Sequence, residues 1–499
     1  MSNKQQWIKA VNIILVAAIG FVAIAAGALF DSVNHYYGAL IIILLAIGLY
    51  FYEVLVIADK NWMDVRAVFT GMWMGTIGFA SLRLMEYQEP WQTKTWLLLA
   101  TAYAVFQIGA SIGMFAASKT VLKCYNKISK IGFSRIRFKL QESRLFLICV
   151  ITTIIGLLCF VINVAIRGYI PCFSSVRDAY LNFYTRFYIF AVAATSISGL
   201  CYYCIRTQNL SIWKKIILWL CIFYSTFAFP ILAVSRGTFV ISALSLTVVV
   251  FYLNKKRLLV LIACLVAIAG IYSAASELRG YTNEQLKIFF EPSEIPLTSD
   301  TSDVASSDTS SNDTSSDTDS NTSNDTSADT SGDTSNATTF SLPPKLSFIY
   351  SYLTVSHDNF NEAVQNSTEY TYGLRQFVPF NVILRSDWIE KTVNEAEYYL
   401  VRPHLNTTNV IGDFYYDFHE WGVFFCVIIW AFIFGIIQKT YEICKGPFSL
   451  LFLGNTMIPI ALCFFSTWLS LFSHWMLWGV VLIYALAACV KIEPKKSNT

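Results

Sequence analysis

The chain alternates long apolar runs with short polar turns, and the runs have the length that a lipid bilayer sets. A helix needs roughly 20 mostly apolar residues to cross the hydrocarbon layer. Twelve runs approach or meet that length, near 10–30, 37–58, 66–82, 95–117, 145–166, 187–205, 216–234, 238–253, 258–276, 419–437, 449–470 and 474–490. The pattern predicts an all-α polytopic integral membrane protein with twelve transmembrane helices. It divides the chain into nine spans over 1–276, one large loop over 277–418, and three spans with a tail over 419–499. Lys4 and Lys9 precede the first run and no small-residue cleavage site closes it, so it reads as a span rather than a removable leader.

Charge adds a sidedness to the pattern. Short cytoplasmic loops are enriched in Lys and Arg. The segment KTVLKCYNKISKIGFSRIRFKLQESR, after the fourth run, carries eight Lys/Arg and one Glu. Counting spans away from it puts Lys214–Lys215, Lys255–Arg257, Lys439, Lys445 and Lys491–Lys496 on the same side, together with both termini and Asp59–Asp64. The turn around Glu86 and Glu89 falls outside. So do 167–186, the turn Ser235-Arg236-Gly237, the link near 471–474 and the large loop.

Composition agrees and excludes a soluble enzyme. The chain is 55% hydrophobic and 14% charged, against about 25% charged in soluble domains, and its mean hydropathy is +0.51. The net charge of +3 says nothing in total. Most of the 12 cysteines sit in apolar runs (Cys149, Cys159, Cys221, Cys264, Cys463, Cys489), where they act as small hydrophobes. Cys201 and Cys204 have CxxC spacing but lie in a predicted span and read as packing.

The large loop has two parts. Residues 298–339 form an imperfect Asp-Thr-Ser repeat with nine Asp and no Lys or Arg. Such a segment cannot bury enough apolar surface to offset its ordering entropy, so it is predicted to be a disordered spacer. Its N-x-S/T sequons (Asn312, Asn321, Asn324, Asn336) matter only in a host that glycosylates them. Residues 340–418 are rich in aromatics and predict a helix entered after Pro343-Pro344, with further short helices at the membrane surface.

Candidate chemistry concentrates in 402–422, RPHLNTTNVIGDFYYDFHEWG. A continuous helix there would put Asp413, Asp417 and Glu420 on one face and Tyr415, His419 and Gly422 on another. His404, Asp413, Asp417 and Glu420 are candidate general bases for a sugar hydroxyl. Asp413 and Asp417 could equally cap a helix and favour its positive end. Arg236, Arg167 and Arg177 carry positive charge on the side where the loop bias disfavours it, which asks for an anionic partner such as a lipid-linked phosphate; Arg402 is a fourth candidate for that role. The alternative is that each snorkels to lipid headgroups. His404, His419 and Glu420 match no zinc spacing, so no metal is expected. The chain has no P-loop, no GxGxxG after a strand and no Ser-His-Asp elbow. Glu53 and Arg83, at or near span ends, read as a structural or interfacial pair.

With these motifs the chain resembles bacterial O-antigen and capsule repeat-unit polymerases. The resemblance rests on Gly168-Tyr169-Ile170-Pro171, Ser235-Arg236-Gly237 and Asn409 through Gly422, within a matching layout of spans and a late external loop. The family's last motif usually reads D-F-G-x-x-G; Asp417, Phe418 and Gly422 fit, and His419 stands at the first glycine. The Asp-Thr-Ser repeat is not a family feature. The resemblance implies glycosyl transfer on the outer face of the bacterial cytoplasmic membrane, from undecaprenyl-pyrophosphate-linked glycan to an incoming lipid-linked repeat unit. In that reading Arg236, Arg167, Arg177 and Arg402 hold the pyrophosphate. His404 or a carboxylate among Asp413, Asp417 and Glu420 activates the acceptor. Tyr372, Trp388, Tyr399 and Tyr416 stack on sugar rings. No cofactor and no nucleic acid is implied; the partners would be lipid-linked oligosaccharides and membrane lipids, with a chain-length regulator and a flippase as associates. Two alternatives stay open: an O-antigen ligase-like transferase, and a lipid-linked oligosaccharide flippase or other transporter, which should show mid-membrane charges and inverted repeats.

Overall fold

The computed structural model describes residues 3–128, 136–138, 140–174, 183, 185–254, 258–259, 261–264, 266, 343–395, 398–402, 405–465 and 468–492. The Asp-Thr-Ser repeat, most of the predicted span 258–276, Arg177 and His404 lie outside these residues.

Helices come in the order α1 (Asn3–Val33), α2 (His35–Tyr52), α3 (Val65–Ala80), α4 (Thr93–Ile128) and α5 (Glu142–Arg167). Then follow α6 (Arg186–Ala194), α7 (Ile197–Thr207), α8 (Ile212–Phe223), α9 (Phe229–Leu232) and α10 (Arg236–Leu253). The large loop contributes α11 (Pro344–Asn366), α12 (Leu374–Leu384) and α13 (Asp387–Glu395), and the chain continues through α14 (Gly412–Cys444), α15 (Pro447–Ala461) and α16 (Phe472–Cys489). Among the described residues nine helical stretches are long and apolar enough to cross a membrane, as in a polytopic membrane protein. α3 and α15 are shorter, at 16 and 15 residues. The one departure from an all-helical chain among the described residues is an antiparallel pair of three-residue strands, β1 (Ile136–Phe138) with β2 (Val490–Ile492).

Side-chain chemistry sorts the helix ends into two groups. At one end Lys9 meets Asp59 at 2.8 Å, Tyr252 meets Asn61, and Gln438 donates to Asp64 at 2.9 Å. Asn254 donates to Tyr202 at the same end, and the β1–β2 pair joins the segment after α4 to the segment after α16. We call this the basic end. At the opposite end Arg83 pairs with Asp31, Gln88 donates to Asp358, and Arg236 donates to Tyr352. This is the loop end, where α11–α13 pack.

Local signals place several boundaries. Asn34, Asp64 and Ser235 cap α2, α3 and α10, each side chain accepting a backbone N–H of the first turn. Gly168, at φ 76°, ends α5 in the left-handed conformation that glycine tolerates. The tightest interhelical approach is between α4 and α14. A Cβ on Gly113 would overlap the Phe432 carbonyl, and one on Gly435 the Ala110 carbonyl. Two helices that meet backbone to backbone need residues without side chains at the crossing.

The run 187–205 stands as one stretch long enough to cross a membrane, Arg186–Thr207, with a turn at Thr195–Ser196 between α6 and α7. The structure corrects three sequence expectations. The run 449–470 is helical only to Ala461. Glu53 does not pair with Arg83: it is buried in a π-helical turn that continues α2 at the basic end, while Arg83 pairs with Asp31 at the loop end. The loop helices do not merely lie at a surface, because α11 buries a row of polar residues inside the fold: Ser351, Thr354, Ser356, His357, Asp358, Asn359 and Asn361 are all at most 3% exposed.

Candidate functional site

α11 is the spine of the loop end. Its buried polar side chains must find partners or cost several kcal/mol between them, and most find them in the turn between α3 and α4, in those two helices and in the residues before α14. Asp358 accepts from Trp91 Nε1 at 2.8 Å and Gln88 Nε2 at 2.9 Å. Asn361 accepts from Thr95 and from the Gln92 backbone. Asn359 donates to the carbonyls of Leu405 and Thr407 and accepts from the Val401 backbone. The His357 ring lies between Thr76, 3.0 Å from Nε2, and Asn409, 3.3 Å from Nδ1. Asn409, which opens the third family-like motif, is thereby part of the framework.

Burial moves the two titratable groups of α11 in opposite senses. It holds His357 down to about 3 and pushes Asp358 up to about 7, the latter against the hydrogen bonds from Trp91 and Gln88. His357 thus contributes stability that is present above its ordinary value of 6.5 and lost as pH falls through 6.5 toward 3. Asp358 contributes stability that is present below its ordinary value near 4 and lost as pH rises toward 7. Between about pH 4 and 6.5 the two trends offset each other. Asp358→Asn is therefore expected to melt progressively lower as pH falls through that window, by up to about 1.4 kcal/mol per unit, while the wild type changes little. Melting curves of the detergent-solubilised proteins at stepped pH check this; parallel curves would refute it.

α14 carries the centre of the site and is not one continuous helix. Phe418 (φ −147°, ψ 18°) and His419 (φ 48°, ψ −132°) leave the helical region, so Gly412–Asp417 forms a short helix before the long apolar segment. The single-face alignment expected for Asp413, Asp417 and Glu420 is broken at this kink. A kink releases carbonyls from the helical ladder, and the loop before α12 takes them up. Thr371 N donates to the Tyr416 carbonyl at 3.0 Å and Tyr372 N to the Asp417 carbonyl at 3.2 Å. Gly422 permits the fold-back, since a Cβ there would overlap the Phe414 carbonyl.

The carboxylates of this segment have different environments. Asp417 is fully buried; its Oδ1 accepts from Thr371 Oγ1 at 2.6 Å and from Arg375 N at 3.2 Å. Asp413 is buried and accepts from the Tyr398 hydroxyl at 2.7 Å. The Arg375 guanidinium, 2% exposed, lies over the rings of Tyr398 at 4.0 Å and Tyr416 at 4.4 Å. Glu420, beyond the kink, is half exposed and meets Lys94 Nζ at 2.5 Å. Lys94 also donates to the Tyr415 hydroxyl at 3.1 Å. The His419 ring is stacked between Tyr370, at 4.1 Å, and Tyr415, at 4.9 Å.

Arg236 is buried at the first turn of α10, 5.3 Å from the Phe348 ring and 5.5 Å from the Tyr352 ring, and donates to the Tyr352 hydroxyl at 3.2 Å. Tyr352 in turn stacks on Phe465. Arg236 touches the first half of α11, whereas Phe360 in its second half packs on Tyr415. Eight residues of helix separate Tyr352 from Phe360, about 12 Å. Arg402 lies over the Tyr87 ring, and Tyr87 donates to Ser351 of α11. Arg167 is exposed at the end of α5, away from these contacts. Tyr372 and Trp388 are 74% and 65% exposed. Tyr416 is buried and accepts from the Tyr399 backbone N–H.

Two residues central to this arrangement are absent from the sequence-based candidates: Lys94 and Arg375. For Lys94 the signal was present, a cation at the outer end of a predicted span, the same signal that singles out Arg236. Among the described residues no group of three or more His, Cys, Asp or Glu is placed to hold a metal ion. No family model, no curated protein and no solved structure matches the chain.

Proposed function

We propose that this protein is a membrane glycosyltransferase that joins undecaprenyl-pyrophosphate-linked oligosaccharide repeat units on the outer face of the bacterial cytoplasmic membrane. The observation that carries the reading is the gathering at the loop end of cations (Lys94, Arg236, Arg402), a solvent-reached carboxylate (Glu420) and exposed aromatic rings (Tyr370, Tyr372, Trp421) where α14 enters its apolar run. Pyrophosphate is a good leaving group, so such an enzyme needs cations that hold it more than an acid that protonates it. Arginine binds its oxygens bidentately and stays charged. Exposed aromatic rings suit the apolar faces of sugars. Asp413 and Asp417 serve as the framework of the kink in this reading, and Glu420 faces substrate.

One feature leans toward a transporter instead: Glu53, Asp64 and Arg66 are all buried in the bundle. They lie at the basic end rather than at mid-membrane, with Asp64 capping α3 and accepting two hydrogen bonds from the Arg66 guanidinium.

The test is complementation of a deletion strain. The polymer ladder is expected to vanish while single repeats remain attached, and to return with the wild-type gene but not with Arg236→Ala at equal membrane level. Loss of all attached glycan would mean a ligase, and precursor trapped on the cytoplasmic face would mean a flippase. Normal ladders from Arg236→Ala would remove Arg236 from the mechanism.

A further inference from the structure

We propose that His419 is the proton acceptor for the attacking sugar hydroxyl, a role that rests on the glycosyl-transfer reading above. Four observations converge on this side chain. First, its backbone, at φ 48° and ψ −132°, is one that glycine adopts freely and a side chain does not. Histidine is thus held at a site where the backbone itself favours its absence. Strain of this kind, about 1–3 kcal/mol, persists where the surrounding structure enforces it and clusters at functional sites. Second, the imidazole is clamped between the Tyr370 and Tyr415 rings and is 9% exposed. Third, Nε2 is buried without a hydrogen-bond partner among the described residues. A neutral ring that carries its proton on Nδ1 leaves the Nε2 lone pair to accept. Fourth, exposed aromatic rings of the kind that stack on sugars stand beside it. Tyr370 and the exposed Tyr372 have ring centroids 5.7 Å apart, and Tyr372 is itself held at positive φ.

The step balances as follows. The acceptor hydroxyl oxygen forms a bond to the donor's anomeric carbon, and its proton passes to His419 Nε2. The bond from that carbon to the pyrophosphate oxygen breaks, and the electron pair leaves on lipid-linked pyrophosphate. The imidazolium is then flanked by the Glu420 carboxylate, by Lys94 paired to it, and by the Tyr370 and Tyr415 hydroxyl-bearing rings.

The experiment uses purified full-length protein and lipid-linked repeat units extracted from the deletion strain. His419→Gly restores the residue that the backbone favours and opens a ring-sized gap between Tyr370 and Tyr415. Its turnover is expected to fall by about 10²–10⁴-fold and to recover in part when free imidazole is added. His419→Gln, which keeps bulk without basicity, should be equally slow and insensitive to imidazole. Turnover within a few-fold of wild type in His419→Gly overturns the assignment. So does a slow, monodisperse His419→Gly that imidazole does not restore, which would mark a positioning role. A long-range ¹H–¹⁵N spectrum of histidine-labelled protein, with His419→Gly identifying the signal, gives a readout independent of activity: the Nδ1–H tautomer supports the proposal and the Nε2–H tautomer overturns it. A wild-type protein that makes no polymer from these units refutes the glycosyl-transfer reading itself, and the spectrum distinguishes that failure from misassignment of the base.

Discussion

Gly113→Leu is expected to leave little folded protein in the membrane. Gly113 lies against the Phe432 carbonyl at the α4–α14 crossing, and Gly435 against the Ala110 carbonyl. Four added carbons have no space there, so the two helices must separate or tilt. Overpacking typically costs 1–3 kcal/mol where a side chain can yield; here the obstacle is backbone, and a loss above about 3 kcal/mol is expected. The consequence reaches the site by leverage. Lys94 is 19 residues from Gly113 along α4, about 28 Å, so a few degrees of tilt would open the Lys94–Glu420 contact. Detergent-extractable, monodisperse yield and melting temperature measure the effect. Gly48→Ala, at a helical position with nothing within 4 Å, is the control; it should be neutral or stabilising by up to about 1 kcal/mol. A Gly113→Leu protein that melts like wild type would refute the close crossing.

The second large effect separates framework from chemistry at Asp417. Asp417→Ala removes the acceptor for Thr371 Oγ1 and Arg375 N. Stranding buried donors costs about 1–3 kcal/mol each. A loss of about 2–4 kcal/mol is expected, with the loop before α12 released from the kink and proteolysis appearing near 369–373. Asp417→Asn keeps one acceptor oxygen for Thr371 and should retain most stability and turnover within about tenfold. A stable Asp417→Asn whose turnover falls by about 10³-fold would return Asp417 to the role of base and displace His419 from it.

The sequence carried the architecture further than it carried the site. Apolar runs of bilayer length are visible residue by residue, because burial in lipid demands an apolar side chain at nearly every position. The start of the predicted span at His419 coincides with the kink in α14, since the same residues change from polar to apolar there. The Lys/Arg count groups the segments after α4 and α16, whose described parts pair as β1 and β2, because charge sidedness is a property of short loops, not of packing. Turns inside runs were not legible: no change of composition marks the one at Thr195–Ser196 or the end of α15 at Ala461.

Within 402–422 the residue types were conspicuous, but their roles were not. Helical spacing placed Asp413, Asp417 and Glu420 on one face; the kink at 418–419 separates two buried, hydrogen-bonded aspartates from a half-exposed glutamate. Nothing local to that stretch announces the kink. Arg375 and Lys94 stand 42 and 326 residues from the partners they meet, Asp417 and Glu420. By itself the sequence determined that the chain lies in a membrane, where its apolar helices begin, and which segments share an end, because each of these follows from the transfer of single side chains between water and lipid. Tertiary structure alone decided that α11 buries its polar row, that α4 and α14 touch backbone to backbone, and that His419 sits strained between two tyrosines. Those outcomes depend on which distant groups can satisfy a buried donor, a freed carbonyl or a ring face, and that pairing is settled only when the helices meet.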